Sequence, residues 1–122
     1  MKILVADDDP VVAHLVAGLL RAKGHDVVAV SDAMQTFMFA MRTPLLALII
    51  LDINMPGGTG IEVLKRLRSS LNTALIPVIV LSGTTDAQMP EKVMALGASA
   101  FLPKPVESAA LFAALAKAVP GS

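Results

Sequence analysis

Four places along the chain carry residues whose types can do chemistry together: Asp7-Asp8-Asp9, Asp52, Ser82 and Lys104. Carboxylates gathered in a partly buried pocket repel one another and raise one another's pKa unless a cation neutralises them. An all-oxygen site with few protein ligands suits magnesium, which keeps several waters and favours carboxylates plus a phosphate. A carboxylate is also a nucleophile toward phosphorus when a metal and a fixed ammonium offset the charge of the transferring group. Lys104 supplies the ammonium. Ser82 offers a hydroxyl to a phosphoryl oxygen, and the glycines after Asp52 leave backbone N–H groups open to the others. Taken singly, each has a plainer reading. Asp9 before Pro10 is a helix cap, Ser82-Gly83 is a turn, and Lys104 is a surface charge.

The elements that must position these groups are legible as apolar rhythm. Short apolar runs at Ile3 to Ala6, Val27 to Val30, Leu48 to Leu51, Val78 to Leu81 and Ala100 to Leu102 read as buried strands. Helical spacing fills the gaps. Val12, Leu15, Val16, Leu19 and Leu20 form one face, stopped by Gly24. Met34, Phe37, Met38 and Met41 form a second, ended by Pro44, and Ile61, Leu64, Leu67 and Leu71 a third. Pro90 is tolerated only in a first turn, so the fourth helix runs from near Gln88 to Gly97, with Met89, Val93 and Leu96 inward. Leu111, Phe112, Leu115 and Val119 mark the fifth. Five alternations predict an α/β fold: a doubly wound, five-stranded parallel sheet with helices on both faces and right-handed crossovers. Functional residues then belong beyond the carboxyl ends of the strands, near the switch in strand order. The aspartates, Ser82 and Lys104 follow the first, third, fourth and fifth strands.

Bulk properties narrow the field. A chain of 122 residues suits one compact domain. Ten basic and ten acidic side chains cancel, so there is no overall field to draw in nucleic acid or an anionic membrane, and any charge-based function is local. The absence of cysteine excludes disulfides and thiol chemistry. The early apolar run is too short for a signal peptide or a membrane span. The expectation is a cytoplasmic protein with no direct nucleic-acid or membrane partner.

Three segments then stand together: Ile3-Leu4-Val5-Ala6-Asp7-Asp8-Asp9-Pro10, Leu51-Asp52-Ile53-Asn54-Met55-Pro56-Gly57-Gly58-Thr59-Gly60, and Phe101-Leu102-Pro103-Lys104-Pro105. In order and spacing the chain resembles the receiver domains of bacterial response regulators, from Lys2 to about Val119. The resemblance implies the flavodoxin-like receiver fold and phosphorylation of Asp52. It implies Mg2+ held by Asp8, Asp52 and the backbone carbonyl of Asn54, with Asp7 acting through water. It assigns Ser82 and Phe101 to a switch, pairs Lys104 with the phosphate, and implies a cis bond before Pro105. The expected phosphodonor is a sensor histidine kinase or histidine phosphotransfer protein. The output is a protein effector or a fused domain, with the surface of the fourth and fifth helices open to a second copy. Val106 stands where the family often has an aromatic residue, and Gly83 where it often has alanine.

A scaffold module that keeps this fold but signals by binding alone is the alternative, and it is expected to lose Asp or Lys positions that are present here. Phosphatases that turn over an aspartyl phosphate carry a second carboxylate two residues after the nucleophile, where this chain has Asn54. The reading is therefore a signalling domain rather than an enzyme. His14 falls on the wet face of its helix, His25 in a turn, and Lys65, Arg66 and Arg68 on the wet face of the third helix. Phe39, off the methionine stripe, is an exposed residue.

Overall fold

A computed structural model describes residues 1–55 and 57–121. Pro56 of the central segment lies outside them. The elements in order are β1 (Lys2–Ala6), α1 (Pro10–Ala22), β2 (Asp26–Val30), α2 (Ala33–Arg42), β3 (Leu46–Asp52), β4 (Asn54–Met55), β5 (Gly58–Thr59), α3 (Gly60–Ser69), β6 (Val78–Ser82), α4 (Met89–Ala95), β7 (Ala100–Pro103) and α5 (Ser108–Ala118). Five strands form one parallel sheet in the order β2-β1-β3-β6-β7. This is the flavodoxin-like arrangement, with five helices around it. The order reverses between β1 and β3, which are neighbours in space and separated in sequence by a whole unit.

β1, β3 and β6 are buried on both faces, which is why they read as continuous apolar runs rather than alternating ones, whereas β2 and β7 at the sheet edges are only partly buried. Leu4, Ala6, Ile49, Leu51, Val78 and Val80 face one layer, with α2, α3 and α4 against it. Ile3, Val5, Leu48, Ile50, Ile79 and Leu81 face the other, covered by α1 and α5. Side-chain caps start three of the helices. Asp9 Oδ1 accepts from the Val11 N–H at 2.9 Å, Asp32 from Gln35 at 2.7 Å and Thr59 from Glu62 at 3.2 Å. Asp9 is thus the cap expected of it.

Several expected faces are rotated or cut short. The inward face of α2 is Ala33, Thr36 and Ala40 with Phe37 beside them, whereas Met34 and Met38 are exposed. Thr36 enters the core because its Oγ1 donates to the Asp32 carbonyl at 2.7 Å, which satisfies the hydroxyl without a partner from outside the helix. Leu71 lies beyond the end of α3, where Ser70 is already extended, and is exposed rather than core. Leu15 is also more exposed than its stripe suggests.

Arg68 leaves the wet face expected of it. Its guanidinium donates to the Gly97 carbonyl from Nε (3.1 Å) and Nη2 (2.8 Å), and to the Ile76 carbonyl from Nη1 (2.8 Å). It thereby ties α3 to the segments leading into β6 and β7, and its burial lowers its pKa. Arg66 stacks its guanidinium 4.1 Å from the Phe37 ring, joining α2 to α3. Phe39 is half-buried against the core, with the Lys2 ammonium 5.9 Å from its ring centroid. The short antiparallel ribbon of β4 and β5 was not foreseen, because two residues a side are too few for a periodic signal.

Candidate functional site

Parallel β1 and β3 end at the same level, with Ala6 opposite Leu51. The next residues, Asp7 and Asp52, therefore emerge side by side at the switch in strand order. Asp7, Asp8 and Asp52 each bring one carboxylate oxygen within 4.8 Å of the others. Asp7 and Asp52 are buried and Asp8 is exposed, so the cluster has a solvent side from which an ion or a donor can reach it.

β7 lies beside β6, and the chain leaving it brings Lys104 over the cluster. Its backbone N–H donates to the Ser82 carbonyl at 2.8 Å. Its Nζ lies 3.0 Å from Asp7 Oδ2 and 3.4 Å from Asp52 Oδ1. The peptide bond between Lys104 and Pro105 is cis, as expected.

The electrostatics follow from one cation facing two buried anions. Burial, with the charge of Asp7 adding to it, pushes Asp52 up to about 6, against the pull of Lys104 and of the Asn54 N–H that donates to Oδ1 at 3.3 Å. Burial works against the charge on Lys104, yet its close pairing with the Asp7 and Asp52 carboxylates outweighs it and holds the ammonium above the usual lysine range. Asp7 Oδ1 accepts the Asp9 N–H at 2.9 Å. Asp7 Oδ2 meets Lys104 without hydrogen-bond geometry and has no other partner among the described residues. A buried carboxylate oxygen with an unused lone pair, beside two further carboxylates, fits a hydrated hard dication.

Ser82 is buried at the end of β6, and its Oγ accepts the Thr84 N–H at 3.0 Å. Phe101 is half-buried on β7, paired in register with Val80 and packed against the α2–α3–α4 layer. Six of the residues singled out from sequence thus converge on the ends of β1, β3, β6 and β7: Asp7, Asp8, Asp52, Asn54, Ser82 and Lys104. Phe101 stands one strand-turn behind them. His14 is exposed, and His25 lies 3.2 Å from the amino terminus of Met1; burial and that ammonium lower its pKa.

Gly60 has a role that sequence reasoning missed. Its N–H donates to the Ile53 carbonyl at 2.6 Å, so it is committed to the loop rather than open to an anion. A Cβ there would press on the Asp52 carbonyl oxygen and come within 2.6 Å of Ile53 Cα. Glycine lets α3 start directly against the backbone that aims Asp52. The only hint in the sequence is a glycine directly after Thr59, the residue that caps α3.

A flavodoxin-like sheet with an acidic cluster and a lysine at its switch point defines a signalling receiver as the class of protein. The profile of the response regulator receiver domain matches residues 3–116, and the chain belongs to that family. The chain is 36% identical over 118 residues to the sensory/regulatory protein RpfC of Xanthomonas campestris pv. campestris, covering 95% of this chain and 16% of that protein. It therefore spans a small part of that curated relative. Among solved structures, the chemotaxis response regulator CheY4 of Vibrio cholerae superposes with a TM-score of 0.88 at 27% identity, covering 97% of this chain and 98% of the other. The receiver domain of the sensor histidine kinase PA1611 from Pseudomonas aeruginosa, described with magnesium coordinated in its active site cleft, gives 0.86 at 26%, covering 96% and 95%. No helix among the described residues is long and apolar enough to cross a membrane.

Proposed function

We propose that this receiver domain takes a phosphoryl group onto Asp52 from the phosphohistidine of a kinase or phosphotransfer protein. One Asp52 oxygen forms the new O–P bond as the P–N bond to the imidazole breaks. With a pKa near 6, Asp52 is ionised at neutral pH and so is available as the nucleophile. Asp8, Asp52 and the Asn54 carbonyl would hold Mg2+ directly, and Asp7 through water. When bound, the ion neutralises charge on the transferring group. Lys104 already lies within reach of both carboxylates and would move its contact from Asp52 to a phosphoryl oxygen.

Ser82, whose Oγ accepts the Thr84 N–H, would donate its hydroxyl hydrogen to a second phosphoryl oxygen and draw the Ser82–Thr84 turn toward Asp52. Phe101, on the strand beside Ser82, would turn further inward as that turn vacates space. The phosphoryl group supplies the differential contact that any two-state switch requires. The output is a change in protein contacts near Ser82 and Phe101, and the expected setting is the cytoplasm.

The observation that carries this reading is the convergence of three carboxylate oxygens within 4.8 Å, one of them on a buried Asp7, beneath an ammonium 3.4 Å from Asp52. Beryllofluoride with magnesium, a phosphoryl mimic, tests it on isotope-labelled chain. The amide signals of Asp52 to Met55, Gly57 to Gly60, Ser82 to Thr84 and Lys104 should shift together, and the Phe101 ring signals with them. No shift in the wild type, or equal shifts in Asp52→Asn, would overturn the reading.

A further inference from the structure

We propose that the end of the molecule opposite the aspartate cluster docks on an anionic membrane surface, with Leu45, Leu71 and Leu75 inserting between lipid headgroups. All five strands of the main sheet are parallel, so every helix returns to the amino ends of the strands. Acidic residues suit helix amino termini and basic residues suit carboxyl termini. Here that preference separates the charges of the whole chain. Every acidic side chain except Asp26 lies at a strand carboxyl end, in the loop from such an end to the next helix, at a helix cap or in a first helical turn. Every basic one except Lys104 lies in the carboxyl half of a helix, in the turn after it, or at the start of β1. A net charge of zero thus conceals an acidic pole and a basic pole.

Helix capping accounts for the charges and not for the leucines. Leu45, Leu71 and Leu75 are 86%, 96% and 95% exposed. Leu45 leads into β3, and Leu71 and Leu75 lead into β6, the neighbouring strand. The Ile49 N–H inside β3 donates to the Pro77 carbonyl just before β6 at 3.0 Å, so the two lead-in segments open at the amino ends of adjacent strands, on the basic pole. Residues 69–77 and 43–51 contain no charged side chain, while Arg42, Lys65 and Arg66 are exposed in the carboxyl halves of the helices that precede them.

The shape favours a bilayer over a protein partner. Side chains this exposed have no protein walls around them, so they project as knobs rather than lining a groove that could receive a helix or strand. A deformable apolar medium accepts knobs without a matching pocket, and the surrounding bases add attraction to anionic headgroups. In this orientation Asp52 faces away from the membrane and stays open to its phosphodonor.

Co-sedimentation of the chain with phosphatidylcholine vesicles, with and without phosphatidylserine, tests the proposal. Binding should require phosphatidylserine, weaken as salt is raised, and fall roughly tenfold or more when Leu71→Ser and Leu75→Ser are combined. Arg42→Glu with Lys65→Glu should reduce it separately. Both pairs lie at exposed positions, and an unchanged thermal midpoint verifies that each variant is folded. Absence of binding to phosphatidylserine vesicles, or binding that the leucine variant leaves unchanged, would overturn the proposal. So would lipid-independent self-association abolished by the same variant, which would assign the face to a second copy.

Discussion

Replacing Asp52 by asparagine should stabilise the metal-free fold at neutral pH, even though it removes the proposed acceptor. Asp52 is 2% exposed, and its carboxyl is pushed from 3.8 to about 6. Because the folded pKa lies above the unfolded one, the native state holds this proton more tightly. The associated stability is full below 3.8 and is lost as pH rises through about 6. The shift is roughly two units at about 1.4 kcal/mol each, so ionised Asp52 costs the metal-free fold about 3 kcal/mol near pH 7.5 and about 1 kcal/mol near pH 4.5. Asparagine carries no such charge, and its amide oxygen can still accept the Asn54 N–H. It does deprive Lys104 of one anion, leaving Asp7, which trims the gain. Urea unfolding in a chelator should therefore show Asp52→Asn more stable than wild type by about 1–3 kcal/mol near pH 7.5, with the gap narrowing as pH falls toward 4.5. A variant that is less stable near neutral pH, or a gap that does not change with pH, would refute the reasoning. Added magnesium should favour the wild type, since ligand that binds only the native state raises its stability.

Gly60→Ala should lower stability by about 3 kcal/mol in the same assay, because the added Cβ meets the backbone of Asp52 and Ile53, which cannot move aside cheaply; an unchanged midpoint would contradict that close approach. Arg68→Ala removes three donors from the Gly97 and Ile76 carbonyls and should cost about 2–3 kcal/mol. Amide exchange should quicken first in the segments before β6 and β7, and uniform quickening would count against a local bracket. Lys104→Met leaves Asp7 and Asp52 facing each other without their cation, so the metal-free fold should weaken by about 2 kcal/mol near neutral pH and recover below about pH 5. Recovery only on the alkaline side would reverse the assigned sign.

The central strands were legible because burial on both faces leaves an unbroken apolar run, and the shorter apolar runs of the edge strands β2 and β7 completed the sheet. Helix faces were less so. On α2 the methionines suggested one face, but a self-satisfied Thr36 beside small alanines turned another inward. Leu71 continued a helical stripe past the point where Ser70 becomes extended, and an apolar count alone does not reveal where a chain leaves the helix. Asp7, Asp52, Ser82 and Lys104 were readable because parallel strands deliver their carboxyl ends to one edge. Gly60 and Arg68 were not, since their roles come from a backbone approach and from carbonyls of other loops. Charge balance was the least informative quantity: the sum of zero is correct, and its arrangement depends on which end of the sheet each helix reaches.

The central claim, that Asp52 is the phosphoacceptor, is tested most directly by intact-mass analysis after incubation with acetyl phosphate and magnesium. One phosphoryl group should add to the wild type, be removed by hydroxylamine as an acyl phosphate is, and fail to add to Asp52→Asn. An unmodified wild type under conditions where magnesium binding is confirmed, or equal modification of Asp52→Asn, would contradict the account.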